Sequence, residues 1–444
     1  ACGAMGKGGD AAASRRKAPG AVTEQAAQEV LIDGKLYDVR DFKHPGGSIV
    51  KFLTGNGDAS DAFREFHGRS KKANKVLESL PKRDAPADLP VERVDNGKSA
   101  LARDFEAMRQ QLVADGFFEP SPREVFGRVT ELVLMHALGA WMFMANECWC
   151  TKAAGIAVLG LASGRCGWLM HEGGHYSLTG HIPTDRALQV VMYGVGCGMS
   201  GMWWRNQHNK HHATPQKLKH DVDLDTLPLV AFNAAVVDKV KSPVMRTWLK
   251  FQSYLFIPVS CLLVALGWQY YLHPRHILRT LTSKRAPKGY NAQARHEAAA
   301  LVTRHALLAA LFAGYSYPQS VGLYMAYNFV AASYIFTNFA LSHTHLPVTK
   351  PDEYLHWVEY ASNHTTNLAP NPICNWWMAY LNFQIEHHLF PSMPQFRHPE
   401  TSKRVQELFA KHGLHYDQRP YFSCLWQTLG NLNSVGAELS GAKP

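Results

Sequence analysis

Three short clusters of histidine have the spacing needed to hold metal ions between them. The first cluster has the pattern HxxxH, the second has HxxHH, and the third reads Gln-Ile-Glu-His-His. Their histidines are, in chain order, His171, His175, His208, His211, His212, His387 and His388. Positions i, i+3 and i+4 lie on one face of a helix, so the imidazoles of a cluster can converge on one point. Neutral imidazole is a ligand of iron, zinc and copper. The clusters therefore indicate a metal centre dominated by histidine.

The second cluster carries most of the statistical weight. With 23 histidines in 444 residues, about one HxxxH pair is expected by chance, against roughly 0.06 occurrences of HxxHH. A single cluster is also compatible with a polar helix end at the level of the lipid headgroups. Three clusters beside apolar segments are much harder to explain in that way. Acidic residues nearby, namely Glu172, Glu386 and the aspartates of residues 220–225, are candidates to accept hydrogen bonds from the imidazoles.

Apolar stretches beside the clusters predict membrane helices. Four of them, at 130–149, 153–170, 252–272 and 320–341, approach the roughly 20 residues that a crossing needs. A fifth stretch, 301–316, is shorter. If this stretch crossed as well as 252–272 and 320–341, the second and third clusters would lie on opposite sides of the bilayer. We therefore expect 301–316 to be buried or interfacial. The basic segment 273–300 would then be lumenal, against the positive-inside rule, and we expect that segment to lie at the interface.

The N-terminal part contains a second metal-binding pattern. His44 is followed by Pro-Gly-Gly, which forces a tight turn that lets the backbone approach a flat ring closely. His67 ends the sequence Phe-Arg-Glu-Phe-His. These motifs resemble cytochrome b5 over residues 29–90, and the resemblance implies that His44 and His67 are the two axial ligands of haem b. With both axial positions filled, electron transfer is the chemistry that remains. The other interpretation is a surface turn followed by an exposed helical histidine.

The three clusters, in this order and beside these apolar stretches, resemble the membrane fatty acyl desaturases. The fused haem unit and Gln384, in place of the first histidine of the third cluster, resemble the front-end subgroup. The resemblance implies two non-haem irons bound by the seven cluster histidines, a role for Gln384 at the catalytic site, and one more ligand near the end of the last span. His343 fits that position best, and His345 and His364 are alternatives.

The resemblance also suggests the reaction. The stretch 193–217 is most similar to Δ5 desaturases of microalgae, which act on C20 polyunsaturated acyl chains, and next to Δ6 desaturases, which act on C18 chains. Basic residues near the second cluster, Arg205, Lys210, Lys217 and Lys219, could bind the phosphate of acyl-CoA or a phospholipid, or simply meet anionic lipid. Other interpretations are a sphingoid Δ8 desaturase, a hydroxylase, and a membrane haem electron carrier with a zinc site.

These interpretations define the expected architecture. We expect a small α+β cytochrome b5-like domain followed by an all-α integral membrane domain with about four transmembrane helices and a cytosolic helical cap. Leu101, Phe105, Met108 and Leu112 have helical spacing and predict an amphipathic helix between the two domains. The expected segments are a disordered tail 1–25, a haem domain 26–90, a linker and amphipathic helix 91–125, a desaturase domain 126–425 and a C-terminal tail 426–444.

Charge and cysteine content agree with a membrane protein that faces the cytosol. The net charge of +10 suits an anionic membrane surface or nucleic acid, and the apolar stretches favour the membrane. The eight cysteines include no CxxC pair, as expected in a reducing environment. The resemblance implies a multi-pass protein of the endoplasmic reticulum that receives electrons from NADH-cytochrome b5 reductase, acts on a fatty acyl substrate and binds no nucleic acid.

Overall fold

The computed structural model describes residues 28–438, except 55–56, 88, 90–98, 225, 228, 285, 288, 352 and the side chains of 237–239. The expected tail at 1–25, much of the expected linker and Asp225 therefore lie outside the described residues. The chain folds as a small N-terminal unit with a three-stranded sheet, followed by a large helical domain.

The N-terminal unit is a short antiparallel sheet packed against helices. Its elements are β1 (Glu29–Ile32), β2 (Lys35–Asp38), α1 (Ser60–His67), α2 (Lys71–Ser79) and β3 (Lys82–Asp84). The strands pair in the order β1-β2-β3. The turn between β1 and β2 places Asp33 (φ 47°) and Gly34 (φ 71°) in the left-handed region, which suits a two-residue hairpin. Val30, Leu31 and Ile32 on β1 are buried against the helices of this unit.

The amphipathic helix predicted after the linker is α3 (Ser99–Ala114). Its four apolar positions, Leu101, Phe105, Met108 and Leu112, are all buried. They form one core with Ile385, Leu389 and Phe390, which belong to or follow the third histidine cluster. This helix is therefore part of the domain that carries the clusters, rather than a spacer.

The helical domain contains fourteen further α-helices and one short parallel strand pair among the described residues. Its elements are α4 (Pro122–Met144), α5 (Trp149–Gly174), α6 (Ile182–Gln189), α7 (Gly201–Ala213), α8 (Pro243–Lys250), α9 (Gln252–Leu262), α10 (His273–Thr282), α11 (Tyr290–Leu311), α12 (Tyr317–Ala340), α13 (Trp357–His364), β4 (Asn367–Leu368), α14 (Pro372–Trp377), α15 (Gln384–Leu389), α16 (His398–Lys411), β5 (Gln418–Arg419) and α17 (Tyr421–Glu438). Two π-helical segments, Val190–Gly196 and Leu263–Leu272, continue α6 and α9.

Helix α5 is the central helix of the domain and packs between α4 and α12. Glycines make the close approach possible. A Cβ on Gly155 would lie 2.8 Å from the carbonyl oxygen of Gly139 on α4, and one on Gly160 would lie 2.7 Å from the carbonyl oxygen of Tyr327 on α12. Such approach between helices is typical of membrane proteins, in which small residues line the contacts. The first histidine cluster, at the end of α5, is thereby held by both neighbouring helices.

Two helices among the described residues are long and apolar enough to cross a membrane. They are Trp149–Gly174, which is mostly buried, and the continuous helix Gln252–Thr282. The stretches expected to cross at 130–149 and 320–341 correspond to α4 and α12, which are long enough to cross but less apolar than those two helices. Four crossings are therefore not established by the structure.

The segments around these helices are more helical than the sequence indicates. Much of the basic segment 273–300 is helical, since α10 occupies its first third and α11 begins at Tyr290. The C-terminal tail expected from residue 426 begins inside α17, where Leu432 and Val435 are buried. The composition of 426–438 is polar enough to suggest a tail, but its few apolar residues recur on one helical face and pack on the domain. The stretch 301–316 mostly falls within α11, and Arg304 on that helix is buried and donates to the carbonyl oxygen of Val195 at 3.0 Å.

Candidate metal centres

Three helices bring the histidine clusters together. His171 lies in the last turn of α5, and His175 is the residue that ends it. The second cluster occupies the C-terminal half of α7, a helix whose start is fixed by the side chain of Ser200, which accepts a hydrogen bond from the backbone N–H of Trp203 at 3.2 Å. The third cluster lies on the short helix α15. All seven histidines are buried.

The imidazoles separate into two groups, each compact enough for one metal ion. Within a group, the candidate ligand atoms lie within 4.8 Å of one another. The larger group consists of His171, His175, His208, His212 and His387. The smaller group consists of His211, His343 and His388. The groups are adjacent, because the imidazoles of His212 and His388 stack with centroids 4.2 Å apart. The arrangement is that of a two-metal site, with His343 as the eighth imidazole.

The nitrogen positions fit metal ligation better than hydrogen bonding. The Nε2 atom of His208 lies 2.9 Å from Nε2 of His171 and 3.0 Å from Nε2 of His212. Two ligands at right angles on one ion, with metal–nitrogen bonds of about 2.1 Å, lie about 3.0 Å apart. Other buried ring nitrogens, on His175, His387 and His388, have no hydrogen-bond partner. Buried polar atoms without partners are rare unless they serve an unseen ion. The residues therefore fit a pair of metal ions.

Burial sets most of these imidazoles in the neutral form that a metal requires. It lowers the pKa of His208, His212, His387 and His388 well below the ordinary value, and neighbouring imidazoles lower it further. His211 differs. Burial lowers its pKa, but the carboxylates of Asp221 and Asp223 outweigh that effect and raise the pKa to about 9. Its Nδ1 donates to Asp221 Oδ2 at 2.9 Å, which leaves Nε2 to face the smaller group.

Other residues orient the rings from outside the groups. His343 Nδ1 donates to the carbonyl oxygen of His364 at 2.8 Å. The side chain of Gln384, at the start of α15, lies beside His343. On the other side, the amide of Gln395 contacts His171 Nδ1 at 3.0 Å, and its Oε1 has no partner. Such contacts fix the ring orientation and the tautomer of a metal-binding histidine. Gln395 was missed from sequence, because it reaches His171 from 224 positions away.

The acidic residues that were expected to orient the rings have different partners. Glu172 pairs with Arg128 and accepts the backbone N–H of Gln395 at 3.0 Å. Glu386 accepts hydrogen bonds from Tyr416 and Asn367, each at 2.8 Å, and burial raises its pKa to about 7. Glu172 follows His171 and Glu386 precedes His387. The helical rotation of 100° per residue therefore turns both carboxylates away from the imidazoles. Asp221 is the expected acidic residue that does contact a ring.

The remaining sequence candidates lie outside the two groups. His364 uses both ring nitrogens elsewhere, contacting Pro347 and Thr349, and His345 is not in either group. The basic residues do not form one phosphate site. Arg205 is buried and donates to Gln189 Oε1 at 2.6 Å. Lys217 is fully buried with its Nζ 3.8 Å from the ring centre of Tyr354, and Lys219 is exposed.

The N-terminal unit holds the second metal-binding pattern in a largely apolar cavity. His44 and His67 line the cavity together, and their ring centroids are 5.8 Å apart. Two imidazoles that bound one iron from opposite sides at about 2.1 Å would have centroids about 6.5 Å apart, so a small separation of the two rings would admit the iron. Burial lowers the pKa of His44, and burial lowers that of His67 to about 4. A Cβ on Gly46 would lie 2.8 Å from the His44 ring and would displace it, and Gly47 has a φ of 77°, which favours glycine. The cavity fits a haem with two neutral axial imidazoles.

A haem cavity beside two buried histidine groups defines a haem-linked oxidoreductase with a non-haem metal pair. Comparison with known proteins specifies the class. The fatty acid desaturase family matches residues 149–420, and the cytochrome b5-like haem/steroid binding domain matches residues 25–85. The chain therefore belongs to the fatty acid desaturase family and carries a fused cytochrome b5-like domain. It is an oxidoreductase of the front-end type, with haem and a di-iron centre as its cofactors. The family is membrane-bound.

Similar curated proteins extend over almost the whole chain. An acyl-lipid (8-3)-desaturase of Rebecca salina is 54% identical, covering 93% of this chain and 92% of the relative. An acyl-lipid (8-3)-desaturase of Thraustochytrium sp is 49% identical, covering 97% and 98%. A Delta(8)-fatty-acid desaturase of Euglena gracilis is 29% identical, covering 88% and 91%. None of these three names contains Δ5 or Δ6, so the position of the new double bond is a matter for proposal.

Proposed function

We propose that this protein is a front-end desaturase that inserts a cis double bond at carbon 5 of C20 polyunsaturated acyl chains. Its substrates would be 20:3, giving arachidonate, and 20:4, giving eicosapentaenoate. The observation that carries the proposal is the pair of buried histidine groups beside a haem cavity, in a chain about half identical to two acyl-lipid (8-3)-desaturases. The overall reaction consumes O2, two electrons and two protons, removes two hydrogens from adjacent carbons and releases two waters.

We assign eight histidines to the di-iron centre, five in the larger group and three in the smaller one, with His343 as the eighth ligand. The distances between Nε2 atoms and the unpaired ring nitrogens support this assignment. The iron pair supplies O2 activation, the oxidising power that side chains lack against an unactivated methylene. The chain's own residues hold the imidazoles neutral and oriented, and Gln384 acts as a positioning residue for His343.

We assign His44 and His67 as the axial ligands of haem b. The apolar cavity and the two neutral imidazoles support this assignment. If His44 and His67 both bind the iron, the haem would carry electrons and would have no position left for O2. The electron donor would be NADH-cytochrome b5 reductase, a flavoprotein that accepts two electrons from NADH and passes them on singly.

The position of the new bond is proposed from the names of the relatives. A front-end enzyme measures from an existing double bond toward the carboxyl end. We take (8-3) to mean a new bond three carbons nearer the carboxyl group than one at carbon 8, which is carbon 5. The second candidate is desaturation at carbon 8, favoured by the name of the Euglena gracilis relative at 29% identity. A Δ6 activity, a sphingoid Δ8 activity and a haem carrier with zinc are weaker candidates.

We further propose that α4 and α12 cross the bilayer together with α5 and the helix Gln252–Thr282, in the endoplasmic reticulum, with the haem unit and the histidines facing the cytosol. Large apolar side chains exposed on three of these helices support the proposal. They include Leu134 and Trp141 on α4, Leu266 on the helix Gln252–Thr282, and Val321 and Phe329 on α12. Such extended apolar surface is uncommon on proteins that contact only water. The acyl substrate would enter from this lipid-facing side, either on CoA or on a phospholipid.

Expression in yeast supplied with polyunsaturated acids tests the reaction. A new double bond at carbon 5 of 20:3 supports the proposal, whereas product from 20:2 with the bond at carbon 8 favours the second candidate, and conversion of 18:2 at carbon 6 favours Δ6. His212→Ala should abolish product while the haem absorbance persists, and His415→Ala, which changes an exposed histidine, is the matched control. Metal analysis distinguishes a desaturase from a haem carrier with a zinc site. Two irons per chain beyond the haem iron support a desaturase, and zinc alone would contradict it.

A further inference from the structure

The haem unit contacts the helical domain on the face that contains its cavity. The turn Gly47–Phe52, which follows His44, packs against α7, the helix of the second histidine cluster. Two residues of α7, Asn206 and Asn209, line the haem cavity together with His44, His67 and other residues of the N-terminal unit. The cavity is therefore closed by both domains, and its outer wall belongs to the helix that carries His208, His211 and His212.

A buried polar contact holds the other side of the haem unit. Glu65, two residues before His67, is 3% exposed. Its Oε1 accepts from Arg109 Nε at 2.7 Å, and its Oε2 accepts from Ser392 Oγ at 3.0 Å. Arg109 lies on α3, and Ser392 follows the third histidine cluster. Arg69, two residues after His67, also donates to the carbonyl oxygen of Ser392, at 3.2 Å. We call Glu65, Arg109 and Ser392 the interdomain contact.

The interdomain contact resists separation because its charges are buried. A carboxylate that is shielded from water and loses its cationic partner keeps the full cost of desolvation. Ring contacts add to the interface, since Phe52 stacks on His220 with centroids 4.5 Å apart and Phe66 meets Trp357 edge-on at 5.9 Å. The haem ligand His67 is thus flanked by Glu65 and Arg69, both fastened to the same serine of the helical domain.

From these contacts we propose that the haem site is completed by the desaturase domain. Asn206 and Asn209 are haem-contacting residues supplied by α7, and the interdomain contact keeps them against the haem. The amides give the haem two polar neighbours that the N-terminal unit alone does not provide, so the reduction potential of the haem depends on docking. The inference rests on the proposed role of His44 and His67 as haem ligands.

A redox titration of the haem in the full-length, haem-loaded chain tests whether Asn206 and Asn209 contact the haem. Asn206→Asp and Asn209→Asp replace each amide by a carboxylate of the same shape. A negative charge about 10 Å or less from the iron, in a medium of effective dielectric constant about 20, favours the ferric form by roughly tenfold. That corresponds to a midpoint potential lower by about 59 mV for a one-electron couple. Gln207→Glu makes the same change between them on the same helix but outside the cavity lining, so its charge lies farther from the iron and should shift the ratio less than either aspartate variant does.

The titration distinguishes a failure of the docked haem site from a failure of the proposed haem ligands. A larger downward shift for both aspartate variants than for Gln207→Glu supports the docked haem site. Equal potentials in the aspartate variants and the parent chain would overturn it, because the haem would then be distant from α7. A parent chain that binds no haem would instead contradict the assignment of His44 and His67. The intensity of the haem absorbance reports folding of the N-terminal unit in every variant.

A second set of variants tests the interdomain contact. Arg109→Met with Ser392→Ala alters it from the helical domain, without touching the haem unit. The variant should shift the parent potential and reduce the further shift caused by Asn209→Asp, because fewer contacts then hold α7 against the haem. Arg83→Met, which breaks an ion pair inside the haem unit, is the control and should leave that shift intact. An undiminished shift in the Arg109→Met, Ser392→Ala background would refute the role of the contact in docking.

Discussion

The carboxylate of Asp221 is the part of the di-iron site whose removal gives the most defined expectation. Its Oδ2 accepts from His211 Nδ1 at 2.9 Å and from the backbone N–H of Gln216 at 2.7 Å, while its Oδ1 accepts from the N–H of Asp223 at 2.9 Å. All four lone-pair directions of a carboxylate can accept, but an amide has one oxygen and one NH2 group. In Asp221→Asn, at least one donor therefore faces another donor.

The expected loss is a tenfold to hundredfold weaker affinity for iron, or about 1.4 to 2.8 kcal/mol, which is the usual range when a partner of a metal-binding histidine is removed. The smaller histidine group should lose iron first, because only His211 depends on this carboxylate. Iron per chain, measured by mass spectrometry after equilibration with a graded series of chelator concentrations, gives the affinity. The haem absorbance of the same sample serves as the internal reference.

Asp223→Asn is the matched control, because Asp223 is more than half exposed and lies 3.5 Å from His211 Nδ1. An exposed ion pair contributes little, so its iron affinity should fall less than threefold. Two results would refute this reasoning: Asp221→Asn retains iron as tightly as the parent chain, or both variants lose iron equally. In either case Asp221 does not orient His211 for iron binding, and the smaller group is misassigned.

Three further predictions concern stability, each measured by thermal or denaturant unfolding in detergent. Gly160→Ala should destabilise by about 1–3 kcal/mol through overpacking against α12, whereas Gly322→Ala, with nothing within 4 Å of its Cβ, should not; equal effects would refute the close packing. Phe105→Ala should lower the free energy of unfolding by about 3–5 kcal/mol, because Phe105 is fully buried against Phe390. Val113→Ala changes a half-exposed residue of the same helix and should be neutral. A neutral Phe105→Ala would mean that α3 is not part of the core. Burial raises the pKa of Asp185 from 3.8 to about 6, so the carboxyl group stabilises the fold most below pH 4 and progressively less as the pH rises through 6. Asp185→Asn should accordingly gain up to about 3 kcal/mol over the parent at pH 7.5 and nothing at pH 4, and a gain independent of pH would contradict this explanation.

Sequence alone predicted the parts of the site that depend on spacing within a helix. The second cluster was identifiable because i, i+3 and i+4 share a face whatever surrounds the helix, and the same argument placed Leu101, Phe105 and Met108 on the buried face of α3. The pairing of His44 with His67 in one cavity also followed from short motifs. These features are local, and the structure contains them.

The features that escaped prediction depend on where elements end or on contacts between distant segments. Only the family resemblance favoured His343 over His345 and His364, because periodicity stops where α12 ends at Ala340 and the geometry of the following turn decides which ring faces the smaller group. Gln395 reaches the first cluster from beyond the third. The interdomain contact joins positions separated by 327 residues, so no local pattern announces it.

The covalent link between the two domains also limits competition from free electron carriers. Fifteen peptide steps join Asp84, at the end of β3, to Ser99, at the start of α3, and fully extended they span about 50 Å. One haem unit confined to a sphere of that radius has an effective concentration of about 3 mM. A separate carrier present at micromolar levels would have to bind the same surface about a thousand times more tightly to displace it. Tethering therefore makes the supply of electrons to this active site nearly independent of how much free carrier the membrane holds.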